Sequence, residues 1–99
     1  MRTAFLLLQE RMEIEFDPMK DERNRTKHNL SLAEAERMIL SEATVSRGNR
    51  FDYGENRYRA WGLIDGVLHV MAFTMRGEVV RVISLRKANS MENRRHGKD

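Results

Sequence analysis

The sequence predicts one small α+β domain, an antiparallel meander packed against two N-terminal helices and a C-terminal helix. Three observations carry that expectation. Ninety-nine residues suffice for one modest core and no second. The first half carries helix-capping signals followed by helical spacing. In the second half, strand-like runs alternate with glycine-bearing turns.

Each element has a local reason. Met12-Glu13-Ile14-Glu15-Phe16 alternates apolar and polar residues, as a half-buried strand does. Asp17-Pro18 then opens a highly charged helix over 18–28, with aspartate as cap and proline at the first helical position. Ser31 followed three residues on by Glu34 has capping-box spacing. It predicts a second helix to about Ser41 with Leu32, Ala35, Met38 and Ile39 on one stripe. A short strand is expected near Ala43–Ser46, then a polar stretch to Gly54. Asn56–Ile64, Val67–Met75 and Val79–Leu85 read as three strands, joined by turns at Asp65-Gly66 and at Gly77. Ala88–Arg95 reads as the last helix, with Gly97 as its C-cap.

Residues 1–11 stand apart. Ala4-Phe5-Leu6-Leu7-Leu8 follows Arg2, but five apolar residues fall short of the ~7–15 of a signal core and of the ~20 of a membrane span. Gln9-Glu10-Arg11 follows where a cleavage site would need small residues, and Met12 offers a second start. The expectation is a single domain over 12–99, with 1–11 as an upstream start or a short amphipathic extension packing on it. Nothing here directs export, and a cytoplasmic protein without a membrane association is expected.

Composition narrows the chemistry. With no cysteine, disulfide scaffolds, zinc knuckles, iron–sulfur sites and thiol catalysis are excluded. Of 18 cationic residues 14 are arginine, and the net charge of +3 falls entirely within residues 51–99. Arginine's planar fork suits bidentate phosphate contact, which tilts the reading slightly towards a nucleic-acid partner, with ordinary codon bias an equal account of the ratio alone. Asp17, Asp21 and Glu22 lack metal-ligand spacing, so no metal or other cofactor is expected. The glycines are scattered singly and form no phosphate-cradling loop.

A resemblance emerges from the motifs in order. Glu15-Phe16-Asp17-Pro18-x-Lys20, Asn24-x-x-Lys27-His28 and Ala35 open it. Gly54-Glu55-x-Arg57, Gly62, Phe73-Thr74-x-Arg76 and Arg81-Val82-Ile83-Ser84-Leu85-Arg86-Lys87-Ala88 continue it to about residue 94. In this pattern the chain resembles the BrnT family of ribonuclease toxins from type II toxin–antitoxin pairs. The resemblance implies a RelE-like fold, RNA as substrate, and silencing by a BrnA-type ribbon–helix–helix antitoxin. Operator DNA would be met only through the antitoxin complex, and a homodimer is open. The family's usual glycine after the lysine–histidine pair is here Asn29, which also tolerates left-handed geometry. Its usual alanine between Ser84 and Arg86 is here Leu85, a change on the face opposite those two residues.

Metal-free RNA cleavage needs a proton acceptor and donor, and cations aimed at the phosphorane. His28 is the central histidine and Glu55 the best-placed carboxylate; either could transfer protons. His28 could instead simply end its helix, and Glu55 could pair with Arg57. Arg76 and Arg86 are expected to stabilise the phosphorane, giving the catalytic set His28, Glu55, Arg76 and Arg86. Lys27, Arg57, Arg81, Ser84 and Lys87 are expected to bind RNA phosphates. Trp61 is expected in the core, His69 as a packed strand histidine, and His96 in solvent. The resulting expectation is a metal-independent endoribonuclease that inhibits translation and growth. The alternative is a catalytically inactive toxin-fold module acting through an antitoxin and operator-DNA complex.

Overall fold

The fold, a computed structural model, describes residues 12–48 and 56–96. In chain order it contains β1 (Ile14–Glu15), α1 (Pro18–His28) and two 3₁₀ turns (Leu32–Arg37 and Leu40–Glu42). Then follow β2 (Thr44–Arg47), β3 (Tyr58–Ile64), β4 (Val67–Arg76), β5 (Val79–Lys87) and α2 (Ser90–His96). The five strands form one sheet in the order β1-β5-β4-β3-β2. The α+β class holds, but the sheet is mixed, because β1 lies parallel to β5 through Ile14↔Val80 and Glu15↔Arg81. A parallel neighbour needs a long crossover, and everything between β1 and β5 supplies it.

Asp17 caps α1 by accepting from the Met19 amide at 3.0 Å. Asn29 ends it in the left-handed region at φ 59°, donating to Arg25 O, as the replacement of glycine by asparagine anticipates. The expected second α-helix is 3₁₀ instead. Leu32, Ala35 and Met38 recur every three residues, the period of a 3₁₀ turn, and all three are buried. Ile39 falls off that stripe and is 45% exposed; its amide donates to Leu63 O on β3 at 3.2 Å, which takes the backbone out of the helix. These turns pack on one sheet face, where Ala60, Ile64, Met71, Phe73, Val80, Val82 and Leu85 form the core with Met12, Leu32, Ala35 and Met38. Gly62 lets them approach: a Cβ there would stand 2.7 Å from Met38 Cγ and 3.1 Å from Ala43 Cβ.

The edge of β5 is finished by a side chain. β1 covers only Val80 and Arg81. Further along, the buried Asn24 of α1 donates to Leu85 O (2.8 Å) and accepts from Leu85 N (3.1 Å), imitating a neighbouring strand. Its amide also donates to Leu30 O at 2.9 Å, closing the loop that follows α1. Asp21 holds the same junction, accepting from Ser31 Oγ at 3.0 Å and Leu32 N at 2.6 Å.

Candidate nucleic-acid interface

The face of the sheet opposite the core carries the polar rows. Directly paired residues project from the same face. One row runs Thr44–Trp61–Val70–Arg86, the next Ser46–Arg59–Ala72–Ser84, and Thr74 faces Arg81 in a third. Strict alternation along β5 would place Arg81 and Ser84 on opposite faces. The β4–β5 pairing skips Ile83, matching Phe73 with Val82 and Ala72 with Ser84. That irregularity brings Arg81, Ser84 and Arg86 onto one face while Val80, Val82 and Leu85 stay in the core.

Small Ala72 at the centre of this face leaves a cleft of about 520 Å³, lined by Ser46, Gly48, Arg57, Tyr58, Arg59 and Trp61 around it. Trp61 is therefore not a core residue. It is half-buried on the outer face, with the Arg59 guanidinium 6.0 Å from its ring centroid. His96 also departs from its solvated expectation: α2 folds back and stacks it on Trp61 at 4.3 Å between centroids.

Arg86 is held at two points on this face. Its Nη1 and Nη2 donate to both oxygens of Glu92 at 2.7 and 2.8 Å. Glu92 also accepts from Asn89 N at 2.9 Å, while its own amide donates to Asn89 Oδ1 at 2.8 Å. This reciprocal pair is a capping box. The bonds from Arg86 hold the Glu92 carboxyl at a pKa of about 2, below its ordinary 4.5, while raising that of Arg86. Because the folded pKa is the lower one, this stabilisation is present above about pH 4.5 and is lost as the pH falls towards 2. Acidification should thus loosen α2 from the sheet in that window. Fluorescence of Trp61, the single tryptophan, should report the step, and Glu92→Gln should abolish it; an unchanged profile in that variant would remove Glu92 as its origin.

His28 closes α1 beside this cluster. Burial lowers its pKa first, and the charges of Lys27 and Arg86 lower it further. The protonated form favoured at a helix C-terminus is overruled, leaving a neutral imidazole near neutral pH. Lys27 is exposed next to it, and Lys87 is exposed at the end of β5. The charge of Arg86 thus acts on His28, whereas Arg76 lies elsewhere on the sheet. It pairs with Val79 at the hairpin end of β4, six residues from Val70, the partner of Arg86, or roughly 20 Å along the strand. There Arg81 donates to Glu15 at 2.8 Å and Arg76 lies 3.8 Å from the same carboxylate. Glu55 lies outside the described residues.

His69 is a packed strand histidine as expected, 4% exposed with Nδ1 2.8 Å from Val67 O. Among the described residues no group of three or more His, Cys, Asp or Glu is gathered to hold a metal ion, and no helix is long and apolar enough to cross a membrane. The residues that sequence reasoning missed are Asn24, Glu92 and Glu15. Asn89-x-x-Glu92 carried a readable capping signal; the other two depend on long-range partners.

No curated protein matches the chain. Among solved structures it is similar to the crystal structure of the Brucella abortus ribonuclease toxin BrnT, with a TM-score of 0.64 and 29% identity over 80% of this chain and 99% of that one. The family model described as the ribonuclease toxin BrnT of type II toxin–antitoxin systems matches residues 16–92. That match takes in α1, strands β2 to β5, and Arg86 with Glu92, so the chain belongs to the BrnT family of ribonuclease toxins.

Proposed function

We propose that the outer sheet face binds and cleaves RNA without a metal ion, and that a BrnA-type ribbon–helix–helix antitoxin neutralises it in the cytoplasm. The observation that carries this reading is Arg86, held bidentately by Glu92 on an arginine-bearing face, with its charge also acting on His28 at the end of α1. A neutral imidazole can accept the 2′-OH proton as that oxygen attacks phosphorus. Arg86 stabilises the charge of the phosphorane, and Lys27 and Lys87 hold flanking phosphates. The 5′-oxygen leaves with a proton, from Glu55 or from the imidazolium, and a 2′,3′-cyclic phosphate remains. Arg57, Arg59, Arg81 and Ser84 guide the strand across the sheet, with Trp61 offering a stacking surface in the cleft. Arg76, too far away to share the phosphorane, contacts a more distant phosphate.

The test is incubation of the purified full chain with RNA in the presence of a chelator, beside induced expression in a bacterial host. Cleavage leaving cyclic phosphate ends, with growth arrest, is expected. Binding without cleavage and harmless expression would instead favour the inactive module acting through an antitoxin–operator complex.

A further inference from the structure

Helix α2 lies on the outer face without entering the core. None of its seven residues is buried, and its apolar Met91 is 61% exposed. The Ala88 amide still donates to Leu68 O on β4 at 3.0 Å, so the chain leaves the sheet at Asn89. Beyond that point Glu92 and His96 tie the helix down. Glu92 takes both arms of Arg86. Its oxygen 2.8 Å from Arg86 Nη2 also accepts from Trp61 Nε1 at 3.4 Å. His96 lies nearly parallel to the Trp61 ring, at 19° and 4.3 Å between centroids.

These two contacts have the chemistry of an RNA nucleotide. A carboxylate forked onto a guanidinium occupies the donors that a phosphate would take. An imidazole flat on an indole occupies the surface on which a base would stack. Glu92 and His96 are four residues apart and so project from one side of the helix. Beneath them Trp61 and Arg86 stand in one cross-strand row, each paired with Val70. Anion and flat ring thus fall side by side on that row, as a phosphate and its base do within a nucleotide.

We propose that Trp61 and Arg86 form a single-nucleotide subsite, which α2 fills in the free protein with Glu92 in place of a phosphate and His96 in place of a base. RNA enters the subsite by displacing α2 about Asn89. The inference rests on the RNA-cleaving reading and adds a closed state to it, because the fork of Arg86 is open to phosphate only after Glu92 leaves. Apparent affinity then scales with the open fraction, and weakening either contact raises it.

The probe is a short single-stranded RNA carrying 2′-O-methyl groups, which removes the attacking hydroxyl and separates binding from cleavage. In the free chain the Trp61 ring current should displace the His96 ring protons in an NMR spectrum. Saturating probe should return them to the position of a solvated histidine, while those of His69, 4% exposed on β4, stay in place. Glu92→Ala should bind the probe about tenfold more tightly, the gain expected if the parent is open about one-tenth of the time. His96→Ala, which leaves the acidic charge in place, should gain less in the same direction. Both substitutions lie outside the core, so neither threatens folding. Probe bound with His96 still stacked on Trp61, or bound equally by the parent and both variants, would overturn the proposal while leaving RNA cleavage by the parent intact. If the parent neither binds the probe nor cleaves unmodified RNA, the cleaving reading fails and the subsite falls with it.

Discussion

Replacing Asn24 with alanine should lower the unfolding free energy by about 3–5 kcal/mol, a large part of the total for a domain of this size. The side chain makes three hydrogen bonds, two to Leu85 and one to Leu30. Its removal strands an N–H and a carbonyl at a strand edge and a second carbonyl in the loop, each a costly group to leave buried without a partner. A melting experiment should show a midpoint lower by roughly 15–30 °C, taking about 4–8 °C per kcal/mol for chains near this length. A fall of only a few degrees would mean that water replaces the amide at that edge. Because His28 ends the same helix, the variant should also lose activity before it unfolds globally, as α1 detaches from β5.

Arg86→Ala should reduce RNA cleavage by about 10²–10³-fold, the usual consequence of removing one group that stabilises developing charge. The same side chain anchors α2 through Glu92, so the loss alone does not separate chemistry from scaffolding. Glu92→Ala separates them. It breaks the same ion pair but leaves the guanidinium available to phosphate, and should bind RNA at least as tightly as the parent. Equal losses in both variants would make Arg86 a strut for α2. Arg86→Lys keeps the charge without the bidentate fork and should fall between the two.

Much of the fold was legible in the chain because its signals are local. The alternation in β3–β5, the Asp65-Gly66 turn and the Asp17-Pro18 helix start all act within a few residues. The structure bears them out, with Asp65 and Gly66 both at positive φ. Local signals also misled. Ser31 and Glu34 have capping-box spacing, yet Ser31 accepts from Ala33 N while Glu34 pairs with Arg37. The reciprocal box formed instead at Asn89 and Glu92. Trp61 read as core because tryptophan is large and apolar, but its register places it in Arg86's row, on the other face. The candidate site was legible only in its members. That Arg86 acts on His28 while Arg76 lies a strand's length away depends on strand pairing and on how α1 seats Asn24, both set by residues far apart in sequence.

The skipped residue in β5 also governs where this strand can change length. Removing Ile83 would leave Val82 and Ser84 adjacent and still opposite Phe73 and Ala72, so a regular ladder would keep both on their present faces. A residue gained or lost elsewhere between Val80 and Arg86 would turn one half of the strand over, exposing valines or burying arginines. Insertions and deletions compatible with this surface therefore have a single address, and related chains that differ in length within this strand should differ there.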